Sequence, residues 1–341
     1  MHLMNNRQKE KWLTLYDRAL EIAHFKPWAV FDEDQQFLFV RKQRRESVFY
    51  SFLGPSACRA CIACYEGERN YVRAMERLHS GNGKQEPTFF LQNGFMGIWG
   101  NRNDLDKDTC ALLKELGIHC RGNGSWLHFL RFEEGYAPVL PNDKELDRLI
   151  DLYENLIMLL RGFFEGELGK LHTEGDALVR IYDEKEKMYF SVSEKIKNPK
   201  SAGDDPVFTF SPNERSERLR TTETGNIVLE IGWSYLNTAV TDNDGRDAFP
   251  LLLLMADTNT GIVLETELIT PSVHKENVLI DKLEKVIAAY GKPKEIRYRE
   301  NDIAGILNDF CRIIDVKRTL RKTLPAIDRA KKEMMSNMGL L

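Results

Sequence analysis

Cysteine is scarce in this chain, with six among 341 residues, and no apolar run approaches the length of a membrane span. The scarcity excludes a scaffold built on disulfides, because domains that depend on bridges are far richer in cysteine. The longest apolar stretch, "FPLLLLMA" at 249–256, falls well short of the roughly 18 residues that a helical span needs. The opening "MHLMNNRQKEKW" lacks the apolar segment of a secretory leader. A reducing cytoplasm is therefore the expected location, with no membrane partner. Charge of one sign is lacking too: 48 Lys and Arg against 52 Asp and Glu leave a net −4, so any contact with nucleic acid needs a local patch. Twelve prolines among 341 residues are too few for a disordered chain, and a length of 341 exceeds what one core usually serves.

Complete catalytic signatures are missing as well. "SGNGKQ" lacks the glycine spacing and the Ser or Thr of a phosphate loop, and "RGNGSWL" lacks the third glycine of a dinucleotide fingerprint. No GxSxG elbow occurs, and His119, His128 and His172 have no ligand spacing. The densest chemical feature is "CRACIACY", with cysteines at 58, 61 and 64. A strand through this run would send Cys61 to the face opposite Cys58 and Cys64, which splits any ligand set. The iron–sulfur spacing expects a fourth cysteine at position 68, which is Glu68. The triplet is therefore expected to pack as buried small residues in a strand, with no metal.

Periodicity orders the rest. Trp12, Leu15, Tyr16, Ala19, Leu20, Ile22 and Ala23 recur at helical spacing before Pro27. "WAVFDEDQQFLFV" and "ESVFYSFLG" read as strands, "EGER" opens a helix carrying Tyr71, Val72, Met75 and Leu78, and "TFFLQNGFMGIWG" reads as a further strand. A helix at "DKDTCALLKELG" leads to "GSWLHFLRFEEGYAPVLPND", a strand with an aromatic-pinned loop. Asn142 and Glu145 form a capping box for a helix striped by Leu146, Leu149, Tyr153, Leu156 and Leu160. "DALVRIYDEKEKMYFSVSEKI" is expected as a hairpin. These elements divide the chain into an α+β N-terminal domain at 1–141, a connecting helix, hairpin and loops at 142–220, and a C-terminal domain at 221–341.

The last domain is the most regular. "NIVLEIGWSYL", "PLLLLMADT" and "GIVLETELI" follow one another as an antiparallel meander with "DNDG" and "NTG" as turns. A helix through Leu279, Leu283 and Val286, a strand at "KEIRYRE", a helix at 303–314, a strand at "VKRTL" and a helix after Pro325 complete the order βββαβαβα. Parallel strands need crossover helices on their faces, so this order implies an α/β mixed sheet. It resembles the ribonuclease H-like fold, and within it the integrase-like and transposase catalytic cores. The resemblance implies acidic residues on the first strand, at the end of the fourth and on a later helix, holding Mg²⁺ or Mn²⁺ between them. In this sequence the first strand offers Glu230, and the fourth ends in Arg297, Tyr298, Arg299, Glu300 and Asn301, with Arg299 where the acid belongs. If the chain is a metal-dependent nuclease or a transposase-like enzyme with a rearranged acidic site, Glu230, Glu300 and Asp302 are its candidate acids. Otherwise it holds no metal or other cofactor, and the domain is a binding or scaffold unit.

The whole chain also resembles a family of bacterial proteins that pair an N-terminal and a C-terminal domain of unknown function. The residues that carry this are "CYEG", "WGNRNDL", "GSWLHFLRFEEGYAPVLPNDKELDRL", "FPLLLLMADTNTGIVLETELI", "GKPKEIRYREN" and "DVKRTLRKTLPAIDRAKKEM". Between 291 and 341, 12 Lys or Arg stand against seven acids, and "RKQRR" at 41–45 is a second basic run. Arg297, Arg299, Arg318, Arg321 and Lys322, with Tyr298 for stacking, are the candidates for holding a phosphate backbone. A non-cleaving nucleic-acid-binding protein is thus a further expectation.

Overall fold

The computed structural model describes residues 4–31, 36–54, 60–79, 92–168, 176–195, 208–211 and 214–337. The chain divides into two compact units.

In the first unit, α1 (Asn6–Phe25) starts at Asn5, whose side chain accepts from the Gln8 backbone while the Gln8 side chain accepts from the Asn5 N–H. Three antiparallel strands come next, β1 (Gln36–Arg41), β2 (Glu46–Leu53) and β3 (Ala60–Glu66), then α2 (Glu68–His79), β4 (Gly94–Gly100), α3 (Lys107–Leu116) and β5 (Trp126–Phe132). The unit ends with α4 (Asp143–Phe164) and the hairpin β6 (Asp176–Asp183) and β7 (Met188–Lys195). The seven strands lie in the order β5-β4-β3-β2-β1-β6-β7, and only β1 and β6 pair in parallel. Leu15, Ala19 and Ile22 of α1 and Leu149, Leu152, Leu156 and Leu160 of α4 bury their stripes against Phe37, Tyr50, Ile62 and Phe129. On the opposite face Phe49 stacks on Tyr71 of α2, ring centroids 4.7 Å apart.

Several expectations change here. The helix and hairpin expected to connect the halves belong to this unit: α4 is a core layer and β6–β7 extends the sheet. A stripe as wide as that of α4 must be covered, and the sheet covers it. The strand expected from Trp28 is described from Gln36, with residues 32–35 outside the described residues; Trp28 itself is not in a strand, because Pro27–Ala29 form a 3₁₀ turn that sets Trp28 against Trp99, centroids 5.1 Å apart. The strand expected over 88–100 is described from Gly94, and residues 88–91 lie outside the described residues. Cys61 and Cys64 do lie on a strand, at positions of opposite parity, and both are buried. Desolvation pushes the Cys61 thiol up to about 12 and the Cys64 thiol well above the usual cysteine value. Cys58 lies outside the described residues.

The second unit comprises, among the described residues, Gly135–Ala137 and the chain from Phe208 onward. Its elements are α5 (Glu214–Thr221), β8 (Val228–Tyr235), a two-residue ribbon of β9 (Val240–Thr241) and β10 (Asp247–Ala248), β11 (Leu251–Asp257) and β12 (Val263–Ile269). Then come α6 (Lys275–Tyr290), β13 (Glu295–Tyr298), α7 (Asn301–Ile314), β14 (Lys317–Leu320) and α8 (Pro325–Asn337). The mixed sheet runs β12-β11-β8-β13-β14, antiparallel on the first side of β8 and parallel on the other. Leu229, Ile231, Leu253 and Ile296 face Leu279, Leu283, Leu307 and Phe310 of α6 and α7. Leu252, Leu254 and Ala256 face Leu324, Ile327 and Ala330 at the start of α8. All seven residues of β11 are buried, so "PLLLLMAD" is continuous apolar text because both its faces are covered. Tyr136 is pinned as a loop aromatic: its hydroxyl donates to Asp242 at 3.0 Å, and the Arg246 guanidinium lies 3.5 Å from its ring centre.

Candidate functional site

β8 alternates faces, so Leu229, Ile231 and Trp233 enter the α6–α7 core while Glu230 and Gly232 turn toward α8. Glu230 is 1 % exposed, and its Oε2 accepts the backbone N–H groups of Ala326 at 2.8 Å and Ile327 at 3.2 Å. These are first-turn donors of α8, which begins at Pro325, so the carboxylate caps that helix at its positive end. A Cβ at Gly232 would meet Ile327 at 3.2 Å and Leu324 at 3.4 Å, so the missing side chain lets α8 seat on the strand. The same Cβ would stand 3.9 Å from Glu300 Oε1, which places Glu300 beside this strand.

Glu300 comes after β13 and stands immediately before α7. Its Oε2 is buried without a hydrogen-bond partner, and desolvation raises its pKa while Arg299 opposes the rise. Arg299 Nη1 donates to Asp328 Oδ1 of α8 at 3.0 Å, and its Nε reaches Glu300 Oε1 at 3.4 Å. The guanidinium thus lies between two carboxylates. Asp302 is engaged elsewhere, by Lys275 Nζ at 2.8 Å, with that ammonium 4.9 Å from the ring centre of Trp233. A divalent cation does not fit these groups: Glu230 is spent on helix N–H groups, Asp302 has its own lysine, and Arg299 already supplies the positive charge beside Glu300 and Asp328. Among the described residues no group of three or more His, Cys, Asp or Glu side chains is arranged to hold a metal.

The basic residues divide by strand parity. Glu295 and Arg297 of β13 point away from the α6–α7 core, beside Lys317 and Thr319 of the parallel neighbour β14. Glu295 is 7 % exposed; it accepts from Thr319 Oγ1 at 2.6 Å and Arg297 Nε at 2.8 Å, with Lys317 and Arg321 each at 3.6 Å. The Thr319 hydroxyl and then Arg297 hold this carboxyl down at about 2. Arg318 belongs to the other face, where its guanidinium donates to Tyr298 Oη at 3.1 Å and to Asn308 at 2.6 Å. Tyr298 is 5 % exposed, so it is a core ring and offers no stacking surface. Lys322 is exposed on the turn before α8. The expected cluster is therefore reduced to Arg297 and Arg321 around a shared carboxylate, with Lys317 added, while Arg299 is committed to Glu300 and Asp328. Glu295 was missed in the sequence; its signal is the alternation of "EIRY" against "KRTL" in parallel register.

These arrangements define an α+β protein with two mixed sheets, whose second unit gathers its charges where β8 and β13 meet α8 and along the outer face of β13 and β14. Residues 12–180 match the family described as a domain of unknown function (DUF7309), and residues 215–335 match a second domain of unknown function (DUF6930). The two matches support a protein that pairs two domains of unknown function. Comparison with curated proteins gives no match. Among solved structures, the chain is similar to the HTLV-2 integrase catalytic core domain in complex with magnesium (trimeric form), at 14 % identity over 35 % of this chain and 77 % of that one, with a TM-score of 0.24. Among the described residues no helix is long and apolar enough to cross a membrane.

Proposed function

We propose that this chain is a non-catalytic binding or scaffold protein whose second unit is a degenerate ribonuclease H-like domain. The order of three antiparallel strands followed by two parallel ones, β12-β11-β8-β13-β14, supports that fold. The observation that carries the loss of catalysis is Arg299, hydrogen-bonded to Asp328 and Glu300 where the fold's enzymes collect carboxylates around ions. Glu230 supports it by acting as a helix cap. The five described cysteines are free thiols, which fits a reducing cytoplasm. Incubation with Mg²⁺ or Mn²⁺ and labelled DNA, RNA and hybrid duplexes should leave every substrate intact. Metal-dependent cleavage abolished by Glu230→Ala would establish the nuclease instead, with a rearranged acidic site.

A second reading, nucleic-acid binding without cleavage, rests on the half-exposed Arg297 and the exposed Lys317 and Arg321 on one face of β13–β14. Retention of single strands on this face should be salt-sensitive. It should weaken in Arg297→Ala and Arg321→Ala and be unchanged in Arg318→Ala, whose side chain lies on the opposite face. Equal loss in all three variants would remove the assignment to this face.

A further inference from the structure

The basic run at 41–45 lies in the first unit, and it borders a cleft. Arg41 ends β1, Arg44 and Arg45 form the turn to β2, and Arg148 projects from α4; all four line a space of about 700 Å³. Two of these guanidiniums are fixed by carboxylates on the same wall. Arg41 Nη2 donates to Asp151 at 2.8 Å, while Arg148 Nε reaches Glu66 at 3.3 Å and its Nη1 lies 3.6 Å from Asp151. Asp147, a further lining residue, is taken by Lys11 of α1 at 2.7 Å. Lys42 is drawn off to Asp183 at 3.1 Å, so the run divides between structural and uncommitted cations.

The uncommitted ones are Arg44 and Arg45. Among the described residues, Arg44 comes no nearer to an acid than Glu184 at 4.0 Å, and Arg45 makes no ion pair. Arg41 Nε is buried and makes no hydrogen bond, its nearest acid being Glu46, another lining residue, at 3.8 Å, so Arg41 stands among resident carboxylates. Gly67, with φ +85°, also lines the cleft and immediately precedes α2. The N-terminal, positive end of α2 therefore stands at the same wall.

We propose that this cleft binds a compact phosphoryl anion. Resident carboxylates already compete for Arg41 and Arg148, so a ligand carboxylate would gain little by exchange. A phosphate carries about twice that charge and three acceptor oxygens, which suits several planar forks at once. Free phosphate, pyrophosphate and the phosphate tail of a nucleotide share this chemistry.

The test is calorimetric titration of the full chain at low salt with orthophosphate, pyrophosphate and ATP. Pyrophosphate should bind saturably and more tightly than orthophosphate, and binding should weaken about tenfold or more in an Arg44→Ala/Arg45→Ala double variant. Both side chains sit on an exposed turn, so this variant keeps its fold, which a thermal melt checks. ATP binding no tighter than pyrophosphate would assign the site to the phosphates alone; tighter binding would assign it to a nucleotide. The signal should persist in Arg297→Ala/Arg321→Ala, which separates the cleft from the β13–β14 face and from the reading proposed for it. Absence of saturable binding for all three probes, or equal affinity in the Arg44→Ala/Arg45→Ala variant, would overturn the proposal.

Discussion

Arg299 and Asp328 are joined by a 3.0 Å hydrogen bond from the end of a parallel strand to the first turn of the last helix. The pair is partly exposed, 36 % for the arginine side chain and 43 % for the aspartate, so its own contribution is modest. Its larger effect falls on Glu300, which loses its only described cation when Arg299 is removed. Arg299→Ala should lower stability by about 1 kcal/mol in urea titrations near neutral pH. The deficit should shrink as pH falls, because a raised-pKa carboxyl without its cation is relieved by protonation. A deficit independent of pH would show that Glu300 does not depend on Arg299.

Glu230 should be more costly to lose. Alanine leaves two buried N–H groups of α8 without an acceptor, at roughly 2–3 kcal/mol. Glutamine keeps an acceptor oxygen and should recover part of that. Denaturant midpoints of the two variants check the order, and equal losses would remove the capping role.

Acid sensitivity should track Glu295. Its folded-state value of about 2 lies below the unfolded 4.5, so its stabilisation is complete above 4.5 and is lost as pH falls toward 2. The stability difference between the native chain and Glu295→Gln, measured from pH 6 down to about pH 2, should close over that window. Asp183, held at about 2 first by the Gln43 side chain and then by Lys42, should add to the same acid loss in the first unit.

Gly97 should not tolerate a side chain. A Cβ there would collide with the Tyr153 hydroxyl, which is itself buried without a partner. Gly97→Ala should cost about 1–3 kcal/mol, whereas Tyr153→Phe should be near neutral. The double variant should be less damaged than Gly97→Ala alone, and a double-mutant cycle reads this coupling.

Cys61 and Cys64 should resist alkylation in the native state at pH 8, since burial suppresses both thiolates. Cys110 and Cys120, half-buried, should label first. Mass spectrometry before and after unfolding distinguishes the two groups.

Local pattern revealed most elements. The Asn142–Glu145 capping box forms as expected, with Asn142 Oδ1 accepting from Lys144 and Glu145 N–H groups, and the stripe behind it is buried. "NIVLEIGW" and "PLLLLMA" were legible as strands, and both are strands in the structure, each with both faces covered. Where partners decide, the chain's local pattern was silent. Trp28 left the expected strand for a contact with Trp99, and the helix expected as a connector became a core layer, because the strands that cover it are scattered over more than a hundred residues.

By itself the sequence determined the features that neighbours a few positions apart dictate: helix stripes, strand parity, caps and turns. Only the tertiary structure decided the role of each charge. Glu230 is a cap, Arg299 a counter-ion between two acids, and Arg318 a hydrogen-bond donor to Tyr298, because a carboxylate or guanidinium takes its role from the groups within a few ångströms, and the fold brings those from strands and helices distant in the chain.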